Sequence, residues 1–440
     1  MIKRIRCLPG AIYHLTYSKE LLAFLPHNDK RRWVLWTPSG YYDASLGGDD
    51  LIGWHVNNGT DKVAYFDPIS SFRIYDRPDV ISRVLQTLEV KEATKIEFSH
   101  VRILSPFDNT EVKSTELTVK YLLNASPERA VEKIEVRVNG RPFLTVPSDD
   151  LWNNDEVKIT IPQEDCVVSV IVHDKYGSKV YDRVKLQWKG EASVIKPKLY
   201  IFAVGINKYN SKSFKNLNFA VKNANDFIET IKLQKDLMYS DVVAKVLTDD
   251  WASKDNILDG FKWIQEKATD KDVAMIFMSG HGESGHGESD KTGYYYAPVD
   301  VDSGNFVSSS DIIDKEKLTR GKLLFFLDTC HSGNVVGVEG PNADLLIKDL
   351  ARVENGFVVF TSSTGSQESE EDVKWHNSSF TKALIDGLKG KAVHEDSKKI
   401  MIEKLGSYIS RRIKQFVKNR QTPVFLKPQT IPDFPIAVKR

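Results

Sequence analysis

Apolar and polar residues follow three successive rhythms along this chain of 440 residues. Up to about residue 90, short apolar runs are cut by PSG, LGGDD and NNGT, a pattern that predicts small strands joined by tight turns, with one helix over Pro78 to Leu88. From Thr94 to Lys189 the alternation has period two, in KIEFSHVRI, ELTVKYLLNA, KIEVRVNGRPF, EVKITIP and CVVSVIVHDKYGSKVYDRVKLQW. Short strands at that spacing, with turns at VNGRP and DKYGS, predict an antiparallel β-sandwich of immunoglobulin type. The segment GEASVIKPK reads as a linker, and beyond Leu199 strands alternate with helices. LYIFAVGI, DVAMIFM and KLLFFL read as buried strands, and VVAKVLT and GFVVFTSS as further strands. Helices are predicted over Leu217 to Leu233, after Ser253, near Ser309 to Leu318, over Ser379 to Leu388 and over Lys398 to Val417, followed by Pro-punctuated extended chain. This grammar implies a mostly parallel sheet with right-handed crossovers. The expected organisation is therefore multidomain: a strand-rich region over 1–90, a sandwich over 94–190 and an α/β domain over 196–440.

Two of the buried strands run into residues that carry chemistry. Asp272 to Met278 reads as strand and Ser279, Gly280, His281 and Gly282 as the turn after it; Leu323 to Leu327 runs into Asp328, Thr329, Cys330, His331, Ser332 and Gly333. Open α/β sheets place reactive groups at the C-terminal ends of their strands. A thiol becomes a nucleophile near neutral pH when a base or positive charge favours its thiolate, and a histidine on the neighbouring strand end is suited to that task. His286, in the near-duplicate HGESGHGES, is an alternative base; His281 is favoured because it directly follows its strand. His331 is assigned to loop packing or a backbone hydrogen bond. The spacings of His281, His286, Cys330 and His331 match no structural zinc pattern. The acidic run Glu368 to Asp372 lacks the glycine and ligand alternation of a calcium loop and reads as a solvated loop.

Composition narrows the remaining classes. Apolar residues make up 41% and charged residues 28% of the chain, which excludes disordered and fibrous classes. A net charge of +1 argues against a dedicated nucleic-acid binder, and no basic block or basic amphipathic helix calls for a membrane surface. No stretch approaches the ~18 apolar residues of a membrane-spanning helix, and the first residues lack a continuous apolar run of signal-peptide length. Cys7, Cys166 and Cys330, odd in number and far apart, do not form a disulfide framework, so a reducing cytoplasm is the expected location. Cys7 and Cys166 are expected to be buried packing residues.

The phrases S-G-H-G after one strand and L-D-T-C-H-S-G after the next resemble the caspase, metacaspase and paracaspase group of cysteine peptidases. VGINKY, NLNFAVKNANDF, VVFTSSTGSQES and SSFTKALIDGL extend the resemblance over Leu199 to Arg440. His281 precedes Cys330 by 49 residues, close to the interval of about 50 known for caspases. The resemblance implies Cys330 as nucleophile, His281 as general base and then acid, and the backbone N–H groups of Gly282 and Cys330 as an oxyanion hole. It implies no third catalytic carboxylate; some metacaspases need calcium, for which the run Glu368 to Asp372 is the candidate here, but a solvated loop is the favoured reading, and no metal site or cofactor is expected. Asp328 matches an acidic position in the pocket for the residue before the scissile bond, so cleavage after Arg or Lys is expected. A second acid in such sequences lies on the first helix, where this chain has Asn223, with Asp226 three residues on. The expected partners are protein or peptide substrates, plus a regulatory protein held by the N-terminal modules. The alternative function is a catalytically silent adaptor of the same fold. Lys348 and Arg352, within Asn334 to Asn355, are candidate self-processing positions. W-x-x-W-T-P-S-G-Y-Y-D-A-S, from Trp33, resembles the tail that follows WD-repeat propellers in bacterial multidomain proteins with such a domain, although no propeller repeat is present.

Overall fold

Consecutive apolar residues with β-branched and aromatic side chains suit strands covered on both faces, and four such runs form the centre of the larger domain, with a half-buried strand at one edge. In chain order its elements are β1 (Lys198–Gly205), α1 (Ala220–Lys232), β2 (Asp241–Thr248), α2 (Lys254–Lys267), β3 (Val273–Ser284), β4 (Lys322–His331), β5 (Phe357–Thr361), α3 (Ser379–Asp386), α4 (Ile402–Phe416) and β6 (Val424–Leu426). The structure is a computed structural model. It describes residues 5–8, 11–14, 19–27, 32–45, 48, 51–56, 65–68, 75, 77–87, 99–125, 130–147, 155–174, 179–191, 196–211, 214–269, 271–284, 294–301, 305–308, 311–312, 322–331, 357–362, 371–372, 374–393, 398–418, 420–421, 423–428 and 430–439. His286, the segment Asn334 to Asn355 and most of the proposed helix near Ser309 lie outside the described residues, as do the side chains of Cys7, Cys330 and His331.

The sheet order is β2-β1-β3-β4-β5-β6, parallel throughout except for β6, which pairs antiparallel with β5. Chain order reverses direction across the sheet between β1 and β3, the kind of switch point at which open sheets form a crevice at their C-terminal edge. Alternate residues feed two cores. Met275, Phe277, Leu324 and Phe326 pack with α1, α3 and α4, while Ile276, Met278, Phe325 and Leu327 pack with α2 on the other face. Phe227 of α1 stacks on Phe277 at 4.8 Å and lies 5.2 Å from Phe326, so one ring ties the helix to the centre of the sheet. Burying such a side chain contributes roughly 1.5–3 kcal/mol.

The far edge of the sheet is fastened by Asp272. Its carboxylate accepts from the backbone N–H of Lys198 (3.0 Å), from that of Thr269 (2.9 Å) and from the Thr269 hydroxyl (2.6 Å). Its carbonyl accepts from the N–H of Lys322 (3.2 Å). The starts of β1, β3 and β4 are thereby held together at one residue.

Three sequence expectations change. β3 does not stop at Met278 and β4 does not stop at Leu327. Their pairing continues through Gly282 opposite His331, and β3 gains a third, antiparallel partner, the strand Tyr294–Tyr296, that stabilises its polar end. Lys398 to Met401 is not helical: Lys399–Met401 pairs with the strand Pro435–Val438, which also breaks up the expected extended tail. Helix α3 ends at Asp386, followed by a wider turn over Gly387–Lys391 with Gly390 at φ 109°.

Residues 99–191 form two sheets over a shared apolar core. One has the order Glu156–Thr160, Glu116–Asn124, His100–Ser105; the other Arg141–Pro147, Val131–Val138, Cys166–Asp174, Lys179–Trp188, Thr110–Val112. The pairs are antiparallel except the last, Thr110–Val112 with Lys179–Trp188, which is parallel. Asn139 and Gly140, both at positive φ, make the tight hairpin turn read from VNG. Cys166 is buried within this core, and burial, reinforced by the charges of Glu164 and Asp165, pushes its thiol pKa up to about 12. The N-terminal region contains a five-stranded antiparallel sheet from Ile5–Leu8 to Tyr42–Ala44. Ile81 and Val84 of the helix Pro78–Thr87 pack on Leu21, Leu22 and Leu35. Val34, Tyr42 and Ala44 join the sandwich core instead, so the strand-rich region is not a separate globule.

Candidate active site

The register of β3 on β4 sets the central pair: His281 lies directly opposite Cys330. Adjacent strands are ~4.8 Å apart, so the two backbones stand one strand spacing from each other at the C-terminal edge. Gly282 follows opposite His331 and is registered on its other side with Tyr296.

His281 is 4% exposed and is held from three directions. Its backbone N–H donates to the Tyr209 hydroxyl (2.8 Å), its ring lies 4.9 Å from that of Tyr209 and 5.6 Å from that of Phe214, and Nε2 is 2.7 Å from the carbonyl oxygen of Lys215. A carbonyl only accepts, so in the neutral imidazole Nε2 carries the hydrogen and Nδ1 carries the basic lone pair. Gly280 is required beside it: a Cβ there would come within 2.7 Å of the Tyr296 hydroxyl and 2.8 Å of the Tyr209 hydroxyl. The Tyr296 hydroxyl donates to the Ser279 carbonyl (3.0 Å), which completes the packing around this strand end.

Two residues back on the same face, Ser279 lies opposite Asp328. Phe227 sits over the preceding rung of Phe277 and Phe326, and one helical turn earlier on the same face of α1 is Asn223. A turn of helix advances 5.4 Å and two strand residues advance ~6.6 Å, so Asn223 arrives over Ser279 and Asp328. Its Nδ2 donates to the Ser279 hydroxyl (3.2 Å) and to Asp328 Oδ2 (3.2 Å). The same carboxylate oxygen accepts from the Ser378 hydroxyl and from that of Thr381 (2.6 Å), at the N-terminal turn of α3. Asp328 is 2% exposed in this cradle. Asn223 Oδ1 accepts from the Ser378 backbone N–H (3.2 Å) and from Asn377 Nδ2 (3.1 Å), which fixes the amide with its N–H groups toward the acid. Asp226 is connected to the cluster through Asn377 Nδ2 (2.9 Å) and is paired with Lys222.

The structure thus brings His281 and Cys330 together by register, and gathers Asp328, Asn223 and Asp226 into one hydrogen-bonded cluster. Sequence reasoning missed the supporting groups. Tyr209 lies in the VGINKY phrase and was within reach of a motif reading. The Lys215 carbonyl has no sequence signature, since any residue supplies one. Ser378 and Thr381 read as a helix start and were missed as donors to an acid 50 or more residues away.

A family model described as the caspase domain matches residues 200–434. Among solved structures, protein GSU0716 from Geobacter sulfurreducens is 16% identical, with coverage of 56% of this chain and 100% of that one and a TM-score of 0.40. Caspase-1 from Spodoptera frugiperda is 13% identical, covering 56% of this chain and 94% of its own, also at 0.40. The fibronectin(III)-like modules of CbhA from Clostridium thermocellum are 16% identical over 21% of this chain and 99% of theirs, at 0.18. No curated protein matches the chain.

Proposed function

This chain belongs to the caspase-domain family, and on that premise we propose that it is a cysteine endopeptidase acting through a His281–Cys330 dyad. The observation that carries the reading is the register of His281 opposite Cys330, with the imidazole held by Lys215 so that Nδ1 is its basic nitrogen. In the proposed mechanism, Nδ1 takes the thiol proton and the thiolate attacks the substrate carbonyl. The backbone N–H groups of Gly282 and Cys330 stabilise the oxyanion. The imidazolium, supported at Nε2 by the Lys215 carbonyl, gives its proton to the leaving amine as the C–N bond breaks. Water then attacks the thioester with His281 again as base, releasing the acid and restoring the thiol.

Cleavage after Arg or Lys is part of the proposal. Its support is Asp328, a carboxylate near the dyad whose described donors, the Asn223 amide and the Ser378 and Thr381 hydroxyls, are neutral. Asn223, in place of a second acid, makes that attraction rest on one carboxylate, with Asp226 already paired to Lys222. The units 1–90 and 94–190, the latter assigned to the immunoglobulin type, position the peptidase on a regulatory protein. The decisive test is Cys330→Ala. All turnover of a susceptible protein is expected to vanish, and undiminished turnover refutes the dyad. Mapping new N-termini in a proteome treated with wild type and variant reads the residue before each cut; a preference for Asp or small apolar residues refutes the role of Asp328.

A further inference from the structure

The acidic run that the sequence left as a solvated loop supplies the missing cap of α1. That helix starts at Phe219 with no side-chain cap of its own and no acidic residue in its first turn. Glu371 fills the position from 150 residues away: its carboxylate accepts from the backbone N–H of Asn218 (3.2 Å), the Asn218 side-chain amide (3.2 Å) and the backbone N–H of Phe219 (3.0 Å). Negative charge at a helix N-terminus is favourable, and here it also fixes a hairpin. Glu371–Asp372 pairs with Asn377–Ser378, Glu371 opposite Ser378 and Asp372 opposite Asn377. Those two partners are the residues that orient Asn223, and Ser378 also donates to Asp328.

Beyond these hydrogen bonds, the described contacts of the hairpin include two aromatic ones. His376 meets the Phe219 ring edge-on at 6.0 Å and Trp375 stacks on Phe416 of α4 at 4.8 Å. Its ladder has two residue pairs, His376 is at a positive φ of 52°, and the Trp375 indole N–H is buried with no acceptor among the described residues. Short ladders, left-handed non-glycine residues and unpaired buried donors each lower the cost of opening locally. Asp328, in contrast, is too enclosed for a substrate side chain to reach while the hairpin is down.

Resting on the pocket role given above to Asp328, we propose that this hairpin is a strap that closes the acidic pocket, latched by Glu371 on α1, and that it must lift before a basic side chain can bind. Glu371 is a positioning residue: it touches no reacting atom and acts through the register of Asn377 and Ser378. The strap makes the bound form a minor state, and loosening the latch raises the apparent affinity by the same factor as it raises the open population.

The test measures binding without turnover. In a Cys330→Ala background, the probe acetyl-Leu-Arg-amide is titrated by calorimetry against full-length protein carrying Glu371→Gln, Asn377→Ala or Ser253→Ala. Glu371→Gln and Asn377→Ala are expected to bind about fivefold or more tightly than the background. Ser253→Ala removes the side-chain cap of α2 and serves as a control for lost helix capping; its affinity is expected to stay unchanged. Equal or weaker binding in both strap variants, or an equal gain in the control, overturns the strap alone. Adding Asp328→Asn to Glu371→Gln is expected to abolish binding. Undiminished binding there overturns the pocket role, and the strap with it, whereas the dyad fails by its own test, turnover in Cys330→Ala.

Discussion

Glu135 in the sandwich and Asp328 in the α/β domain are both carboxylates buried on sheet strands, 7% and 2% exposed, yet their surroundings are of opposite kinds. Glu135 is bound by cations, Arg137 Nη2 at 2.6 Å and Nε at 3.0 Å and Lys133 Nζ at 2.9 Å, with His173 Nε2 3.4 Å away. Burial pushes its pKa up, but the His173 contact, the Arg137 charge and the Lys133 hydrogen bond outweigh it and hold the carboxyl well below the usual range. The donors identified at Asp328 are two hydroxyls and an amide. One acid is thus held by charged partners, while the described donors to the other are neutral.

Breaking the sandwich cluster should cost most. Arg137→Met leaves Glu135 buried with less compensation, and a loss of about 3–5 kcal/mol is expected from urea unfolding followed by a sandwich tryptophan such as Trp188. A stability equal to wild type would show that the cluster is not held as described. Asp328→Asn keeps the shape and removes the charge; since hydrogen bonds to charged groups contribute ~1.5–3 kcal/mol, a loss near 2 kcal/mol is expected, together with loss of preference for Arg and Lys in a peptide library. Stability lost with preference retained would place Asp328 with Glu135 as purely structural.

A smaller effect separates them by pH. The folded pKa of Glu135 is depressed below its unfolded value near 4.5, so its contribution is fully present above that pH and is lost as pH falls toward the folded value. Glu135→Gln should therefore be less stable than wild type at pH 7, and the gap should narrow as unfolding is measured below pH 4.5. A gap that stays constant to pH 3 contradicts the ionic account. The smallest expected effect concerns Cys166. With its pKa pushed up to about 12, it should resist an alkylating reagent at pH 8 in the native protein and react only after unfolding, as read by peptide mass mapping.

Much of the frame was legible because its signals are local. The run from Leu323 to Leu327 could only be a buried strand. Ser253 caps its helix as its position predicted, its hydroxyl accepting from the Asn256 N–H at 3.3 Å. The VNG turn required the positive φ that Asn139 and Gly140 adopt. The failures share a different cause. Ser279 to Ser284 carries turn residues, and only pairing on both sides makes it strand. Lys399–Met401 sits inside a helical periodicity and is claimed by a partner more than 30 residues later. Glu371, Ser378 and the Lys215 carbonyl act on residues far along the chain, where neither periodicity nor spacing carries information.

Asp272 gives the proposed dyad a common origin. It fastens the starts of β3 and β4, and His281 and Cys330 lie equal distances, eight residues, beyond the first registered pair of Val273 and Lys322. The two strands are therefore measured out from the same mark at the opposite edge of the sheet. The length of chain joining Ser284 to Lys322 drops out of that measurement, so the parts of the connection outside Tyr294–Tyr296 can lengthen or shorten while the histidine and the cysteine still meet.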